Sequence, residues 1–381
     1  MEEQLQDNFG KTLGPSIGVE MEFQLIDLKT MDLTNKVNEL IARVQDDPCI
    51  TPEAFQCSVE IKSNPHRNSK RVKKELQGKI AKLMMHLDPL DIRLCSMGLH
   101  PFSKTIAKTT DSPRYKYLEE SYPYITHHQM PFSTHLHVAV DSTEEAMNVM
   151  RRIRILLPVF IAMSASCPYW QDEATGFVSF RQYLLRGGLN AGISPALRNW
   201  TDFLNYYQTA VKAGIIRSIK DIHWDIRPRP DMGTVELRVM DAVPTLREAM
   251  ALAAFAHITI HAVKSRKLRE LMPNLFVENV PDWAQRENHF QASRLGLEAP
   301  FILNAHKGVI TVRELTEELI QNIRDIAREL DEEDGLENAL EILKKGPPYK
   351  EIKNIYENTH SFEEVVRSTS YSFIQEIGLG H

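Results

Sequence analysis

Hydrophobic and polar residues alternate in several short segments of the chain, and these segments lie between longer stretches with a helical period. Alternation with a period of two is typical of a β-strand that packs one face on a core. Four segments show it clearly: IGVEMEFQL from residue 17, FQCSVEIKS from residue 55, STHLHVAV from residue 133 and TVELRVMD from residue 234. We therefore predict four strands whose apolar sides pack under helices.

The polar sides of these strands carry an unusual set of side chains. A solvated sheet face would mix Thr, Lys, Ser and Arg, because carboxylates that stand close together disfavour a strand. The polar positions here include Glu20, Glu22, Gln24, Glu60, Lys62, His135, His137, Glu236 and Arg238. Any one strand could still present an ordinary wet face, but the four together favour a site on one face of the sheet.

Apolar residues with a period near 3.6 predict the helices of the chain. The predicted helices cover residues 35–45, 69–87, 142–166, 246–271, 311–330 and 361–374. Three of them begin as capping boxes, in which Ser142 precedes Glu145, Thr311 precedes Glu314 and Ser361 precedes Glu364. Helices and strands together predict an α+β fold, and without a low-complexity linker or a repeat we expect a single catalytic domain over residues 1–381.

Composition excludes several classes of protein. The 381 residues are 43% hydrophobic and 25% charged, as in ordinary globular proteins, and the net charge of −6 argues against nucleic-acid or membrane-surface partners. The four cysteines form no C-x-x-C pair, and the acidic N-terminus lacks a secretory pattern. We expect reduced thiols and a cytoplasmic protein. The apolar stretch 249–263 is too short to span a bilayer, and we expect it in the core, although a homo-oligomer interface stays open.

The acidic side chains on the strands need a positive partner if they meet. Two carboxylates about 4 Å apart repel each other by roughly 4 kcal/mol at an effective dielectric constant near 20. Oxygen ligands with one imidazole suit Mg²⁺ or Mn²⁺ better than zinc, and Mg²⁺ is often completed by substrate phosphates. Arg238 beside Glu236 could support the transferred phosphoryl group of a metal-bound ATP. A simple ion pair on the strand face is the alternative for these two residues.

Other catalytic motifs are missing or weak. The sequence has no phosphate loop with its Lys and no G-x-S-x-G elbow. His257 and His261 lack the Glu of a zinc protease, and we expect them to be buried helix histidines. A zinc cluster of His100, His127 and His128 is a weaker alternative to the carboxylate site.

Five motifs resemble those of one known family, in order and spacing. They are IGVEMEFQLID, CSMGLHPF, HLHVAV, DIHWDIRPRPDMGTVELRVMDAVPTL and WAQRENHFQASRLGL, spread over residues 13–297, with a helical part at about 298–381. This pattern is similar to that of the carboxylate-amine ligases of the glutamate-cysteine ligase type 2 family. The resemblance implies a glutamine synthetase-like fold, in which a curved, mainly antiparallel sheet forms a funnel for Mg²⁺, ATP and an amino acid.

The resemblance also implies a reaction and a set of site residues. In such ligases ATP phosphorylates a glutamate-like side-chain carboxylate, and an amine then attacks the acyl phosphate. By their motif positions, Arg238 would contact phosphate and Lys62 would lie on the ATP side, with His137, Arg181 and His100 as substrate residues. The implied metal ligands are Glu20, Glu22, Glu53, Glu60, His135 and Glu236.

Three places depart from the family pattern. Met21 stands where many members have Glu, and Ser133 and Thr134 replace a Cys-Gly pair before the first histidine. The segment 181–197, RQYLLRGGLNAGISPAL, also differs, and if it borders the acceptor pocket, cysteine is doubtful as the amine. A metal-dependent hydrolase and a nucleotide-binding protein without turnover are the alternative functions.

Overall fold

The computed structural model describes residues 7–12, 14–44, 47–187, 190–276, 280–303 and 308–378. The strands are β1 Ile17–Asp27, β2 Ile50–Pro52, β3 Ser58–Lys62, β4 Ile92–Cys95, β5 Thr134–Ala139, β6 Tyr169–Trp170, β7 Glu173–Ala174, β8 Ala191–Gly192, β9 His223–Trp224, β10 Ile226–Arg229, β11 Thr234–Leu237, β12 Pro300–Ile302 and β13 Val309–Thr311.

The helices of the described chain lie between these strands as far as β13, after which only helices follow. They are α1 Val37–Val44, α2 Ser69–Met84, α3 Pro113–Ser121, α4 Pro123–His128, α5 Thr143–Ser164, α6 Phe180–Arg186, α7 Trp200–Lys212, α8 Leu246–Lys264, α9 Lys267–Leu271, α10 Pro273–Phe276, α11 Asp282–Leu295, α12 Val312–Asn322, α13 Arg324–Leu330, α14 Glu333–Lys345, α15 Tyr349–Thr359 and α16 Phe362–Ile377.

One antiparallel sheet of seven strands organises the molecule. Its strands follow the order β10-β11-β5-β1-β3-β2, and β4 also pairs with β1. Gln24 of β1 pairs with Ser58 of β3 on one side and with Cys95 of β4 on the other. Strands β5 and β4 therefore pair with the same side of β1, β5 with its first half and β4 with its last residues. All four predicted strand segments therefore lie in one sheet, with β1 at its centre.

The apolar face of the sheet packs on helices, as the alternation predicts. Met21 and Phe23 of β1 are at most 1% exposed, and the Phe23 ring contacts Phe373 of α16 with 5.1 Å between centroids. Helices α2, α5 and α8 contribute to the same core. Residues 249–263 of α8 are almost all buried within this core, where we expected them. No helix in the described part of the chain is long and apolar enough to cross a membrane.

The helix boundaries follow local signals in most places. Ser142, Thr311 and Ser361 each accept a hydrogen bond from the backbone N–H three residues later, although only Thr311 forms the complete capping box. The predicted helix 246–271 is two helices, because Arg266 takes a left-handed φ of 62° between α8 and α9. The predicted helix 311–330 is likewise divided, between α12 and α13. Residue 45, the predicted end of the first helix, lies outside the described residues.

Candidate active site

Strand pairing brings the predicted acids and histidines onto one face of the sheet. Glu22 of β1 stands directly opposite Glu60 of β3, and Glu20 stands opposite His135 of β5. Glu236 of β11 stands opposite His137 on the other side of β5. Directly opposed residues of antiparallel strands have Cβ atoms about 5 Å apart. The register alone therefore concentrates negative charge across four neighbouring strands.

Glu22, Glu53 and Glu60 form the first cluster. A carboxylate oxygen from each lies within 4.8 Å of one from each of the others. Glu53 follows β2, and its Oε2 accepts a hydrogen bond from the Ala54 N–H and lies 3.3 Å from the Tyr115 hydroxyl. Oxygen donors gathered in this way are the ligands that Mg²⁺ prefers.

Burial and mutual repulsion raise the pKa values of two carboxylates in this first cluster. Burial together with the charge of Glu53 raises the pKa of Glu22 to about 7. Burial and the charges of Glu20 and Glu53 also hold the pKa of Glu60 well above its usual range. Lys62 Nζ lies 2.5 Å from Glu60 Oε2 and offsets part of the charge. The cluster is short of positive charge, which a divalent cation would supply.

Glu20, His137 and Glu236 form the second cluster, again with one ligand atom from each within 4.8 Å of the others. His137 Nδ1 lies 3.0 Å from Thr234 Oγ1, whereas its buried Nε2 has no hydrogen-bond partner. That Nε2 lies 3.4 Å from Glu20 Oε1 and 3.9 Å from Glu236 Oε1. With the proton on Nδ1, the lone pair of Nε2 faces two carboxylates, an arrangement that fits a cation between them.

Three arginines surround the fully buried Glu236. Arg227 Nε lies 2.6 Å from Glu236 Oε2 and Arg229 Nη1 lies 3.2 Å from the same oxygen, while Arg238 bonds Oε1. Burial alone would raise the pKa of Glu236, but the charges of Arg227 and Arg238 hold it well below its usual range. The second cluster is thus already partly neutralised, and the first cluster has the greater need for a cation.

The strand alternation did not single out Arg227 and Arg229. Both lie in the IRPR segment of β10, where Pro228 interrupts the usual signal of a strand. Pro is tolerated there because β10 is the edge strand of the sheet. Both arginines lie in the family-like motif DIRPRPDMG, and this motif was the sequence feature that could have identified them as site residues.

The two neighbouring histidines of β5 differ in their surroundings. His135 Nε2 lies 2.7 Å from Ser133 Oγ, and its Nδ1 lies 3.4 Å from Glu20 Oε2. Burial and the charge of Arg238 lower the pKa of His135 to about 4, so the ring is neutral. Ser133 also donates its N–H and its hydroxyl to Glu22, at 2.7 and 2.8 Å. Of the two rings, His137 is the one placed to act as a ligand in the second cluster. His135 lies between the two clusters, near Glu20 and Glu22.

Arg181 and His100, the remaining predicted residues, lie in different places. Arg181 is buried beside the site, where Nη1 and Nη2 donate to the backbone oxygens of Val239 and Arg238. His100 uses both ring nitrogens inside the fold, one with the Met31 oxygen at 2.9 Å and the other accepting from the Ser103 N–H at 3.0 Å. The weaker zinc alternative fits this poorly, since His100 has no free ring nitrogen.

A cavity of about 260 Å³ opens next to the first cluster. Glu22, Glu53, Arg181 and Arg238 line one end of it, together with Ser133. Four of the predicted site residues therefore border a space in which small molecules could meet a cation held by the carboxylates.

Related sequences identify the family. The profile of glutamate-cysteine ligase family 2 (GCS2) matches residues 16–368. The chain belongs to this family. A GCS2 relative from Trichormus variabilis, which carries the provisional name glutamate–cysteine ligase 2, is 34% identical over 357 residues, covering 93% of this chain and 91% of its own. A relative from Mycobacterium avium with the same provisional name is 30% identical over 352 residues, 92% of each chain.

Solved ligase structures share the fold of this GCS2 member. The glutamate–cysteine ligase of Francisella tularensis in complex with AMP matches with a TM-score of 0.69 at 14% identity, over 98% of this chain and 90% of its own. A bifunctional glutathione synthetase from Pasteurella multocida matches with a TM-score of 0.64 at 12% identity, over 95% of this chain and 52% of its own. The predicted family and the glutamine synthetase-like α+β fold are confirmed, and the chain is an ATP-dependent ligase for small molecules.

Proposed function

We propose that the chain joins a glutamate-like carboxylate to an amine through an acyl phosphate, in a Mg²⁺-dependent reaction that uses ATP. The observation that carries this proposal is the pair of carboxylate clusters on one sheet face, next to a cavity, in a member of GCS2. The free cysteine thiols further support a reducing compartment, and we place the reaction in the cytoplasm.

The first cluster is the proposed principal Mg²⁺ site, with Glu22, Glu53 and Glu60 as ligands. Glu20, His137 and Glu236 are proposed as ligands of a second ion. His135, which contacts Glu20 and Ser133, would hold Glu20 in position. Mg²⁺ supplies charge neutralisation for the phosphates, and Mn²⁺ could replace it. The raised pKa of Glu22 and the unpartnered Nε2 of His137 both support a fit for such ions.

The charged side chains around the clusters have separate proposed roles. Arg238 lies on the same strand face as Glu236, where its guanidinium would stabilise charge on the transferred phosphoryl group. Lys62, paired with Glu60, would contact the nucleotide from the opposite side of β1. Arg181 lines the cavity, with its Nη1 3.5 Å from Asp241 Oδ1, and is proposed to contact the carboxylate of the donor. His100 is not part of this binding set.

The arrangement explains how the protein could accelerate the reaction without a covalent enzyme intermediate. Rigid strands hold the ligand residues in a fixed register, so donor, nucleotide and amine would be aligned before reaction. Alignment of this kind is worth about 7–11 kcal/mol of the activation barrier. In this proposal the sheet lowers the activation barrier mainly by aligning the substrates and by stabilising charge.

The test is release of ADP by purified protein with ATP, Mg²⁺, L-glutamate and a panel of amines, with products identified by mass spectrometry. We expect ADP release only when donor and amine are both present, and Glu53→Gln should lower turnover by at least about 100-fold. Glu39→Gln on the exposed side of α1 is the matched control and should retain turnover.

Three outcomes would contradict the proposal or its site assignment. Hydrolysis of amides without ATP, with zinc retained more tightly than Mg²⁺, would indicate a metal-dependent hydrolase. Thermal stabilisation by ATP without ADP from any amine would indicate a nucleotide-binding protein without turnover. Full turnover by Glu53→Gln would contradict the assignment of the principal Mg²⁺ site.

A further inference from the structure

The cavity beside the first cluster has a second end whose character differs from the first. Apolar and aromatic side chains line it, contributed by helices α3, α4 and α6. From this wall we infer that the acceptor amine of the proposed reaction carries an aromatic or branched aliphatic group. The inference rests on the proposed function and specifies its second substrate.

The apolar side chains of α3 and α4 lie outside the core clusters of the described chain, and the Tyr117 ring is covered on one face by the Arg217 guanidinium. Tyr117 and Leu118 of α3 and Ile125 of α4 line the cavity, and neither helix contains a fully buried residue among those the structure describes. None of these three side chains belongs to an apolar core cluster of the described chain. Apolar surface that faces a cavity gains stability when a ligand of similar character covers it.

The opposite wall of this end comes from the segment that departs from the family pattern. Leu184 and Leu185 of α6 line the cavity, together with Asn190 and with Ala191 of β8. The described residues of the segment 181–197 therefore contribute five side chains to the lining of the cavity, while residues 188 and 189 lie outside the described chain. Its leucines, together with Ile215, face the same space as the α3 and α4 side chains.

Most charged lining residues lie at the sheet end of the cavity, and near α3 the acidic lining residue Asp221 is paired with Arg114. The cationic lining residues of the cavity are Arg181 and Arg238, which both contact groups at the sheet end. The α3 and α4 lining contributes Tyr, Leu, Ile, Thr and Gln side chains and no Lys or Arg. A cysteine side chain would leave most of the apolar lining from α3 and α4 without contacts, whereas a ring would cover more of it.

The experiment compares acceptors in two matched pairs with ATP, Mg²⁺ and L-glutamate: 2-phenylethylamine against ethylamine, and phenylalanine against cysteine. In each pair the amino group is attached alike and the apolar body differs. We expect kcat/KM for the aromatic member to exceed that of its partner by at least tenfold, as hydrophobic pockets discriminate in this range.

A variant of the wall provides an independent test. Ile125→Ser should lower kcat/KM for 2-phenylethylamine about tenfold and leave that for ethylamine unchanged. Tyr124→Ser is the control, because Tyr124 is 73% exposed and does not line the cavity. Equal or better use of ethylamine and cysteine would overturn the inference and leave the proposed ligase intact. Absence of ADP with every acceptor would instead overturn the proposed function.

Discussion

The carboxylate of Glu22 shows what a single side chain contributes to this site. Two hydrogen bonds from Ser133 hold it in place, yet it faces Glu53 and Glu60, and burial together with the charge of Glu53 outweighs the charges of Arg181 and Arg238. Its folded pKa of about 7 lies above the ordinary value of 4.5. The stability gained by protonating it is therefore present below about pH 4.5 and lost as the pH rises through about 7.

Glu22→Gln should reproduce the protonated form at every pH. In the metal-free protein, the difference in Tm between variant and parent should therefore move in favour of the variant between pH 5 and pH 8. Addition of Mg²⁺ at pH 8 should raise Tm more in the parent than in the variant. The measurement is thermal unfolding with EDTA or with Mg²⁺, and a difference in Tm that is independent of pH would contradict the shifted pKa.

At the same scale, the sequence predicted some site residues better than others. Strand alternation placed Glu20, Glu22, Glu60 and Glu236 on polar faces because a pleated strand fixes which side each residue takes. Glu53 follows a three-residue strand without visible alternation, and only the family resemblance pointed to it. The two histidines of β5 share a face, so alternation could not separate them. Their roles depend on Ser133 and Thr234, which are tertiary partners.

Secondary-structure elements depended on contacts that the local sequence does not show. Helix α14 was not predicted from the sequence, and it contains Gly335, a poor helix former. A Cβ at Gly335 would overlap the Cβ of Ala254 in α8 and approach Ser69 Oγ at 3.2 Å. The glycine is thus required by the close approach of two helices, which no local pattern reveals.

The Gly335→Ala substitution therefore tests packing against helix propensity. Overpacking against α8 should lower the free energy of unfolding by about 1–3 kcal/mol, more than Ala gains as a helix former. Gly78→Ala in α2 is the matched control, since nothing lies within 4 Å of a Cβ there. That control should gain about 0.5–1 kcal/mol. Denaturant unfolding measures both, and stabilisation by both substitutions would show that α8 and α14 can separate at little cost.

For the molecule as a whole, a buried polar network connects the C-terminal helices to the rest of the chain. Glu332, 1% exposed before α14, accepts a hydrogen bond from the Ser69 N–H at 2.8 Å, and its Oε1 lies 2.9 Å from His257 Nδ1. Ser69 begins α2 and His257 lies in α8. These contacts support our proposal that residues 1–381 form a single catalytic domain.

Glu332→Ala should leave the first N–H of α2 and the His257 ring without a partner. We expect a loss of about 3 kcal/mol in the free energy of unfolding, in one cooperative transition followed by both fluorescence and circular dichroism. Glu333→Ala, on the adjacent exposed side chain, should change it by less than about 0.5 kcal/mol. Two separate transitions in the parent protein would contradict the single domain.

The position of β1 constrains how this enzyme can vary. Glu20 belongs to one cluster and Glu22 to the other, and both project from the same continuous strand. Two residues of extended chain advance about 6.6 Å, so the strand fixes the distance between the two acids and hence between the proposed ions. A single residue inserted or deleted between them would turn one of the two carboxylates toward the hydrophobic core. Substitutions that alter substrate choice should therefore be tolerated in the surrounding helices and loops, whereas a change in the length of this interval should abolish the second or the first ion site.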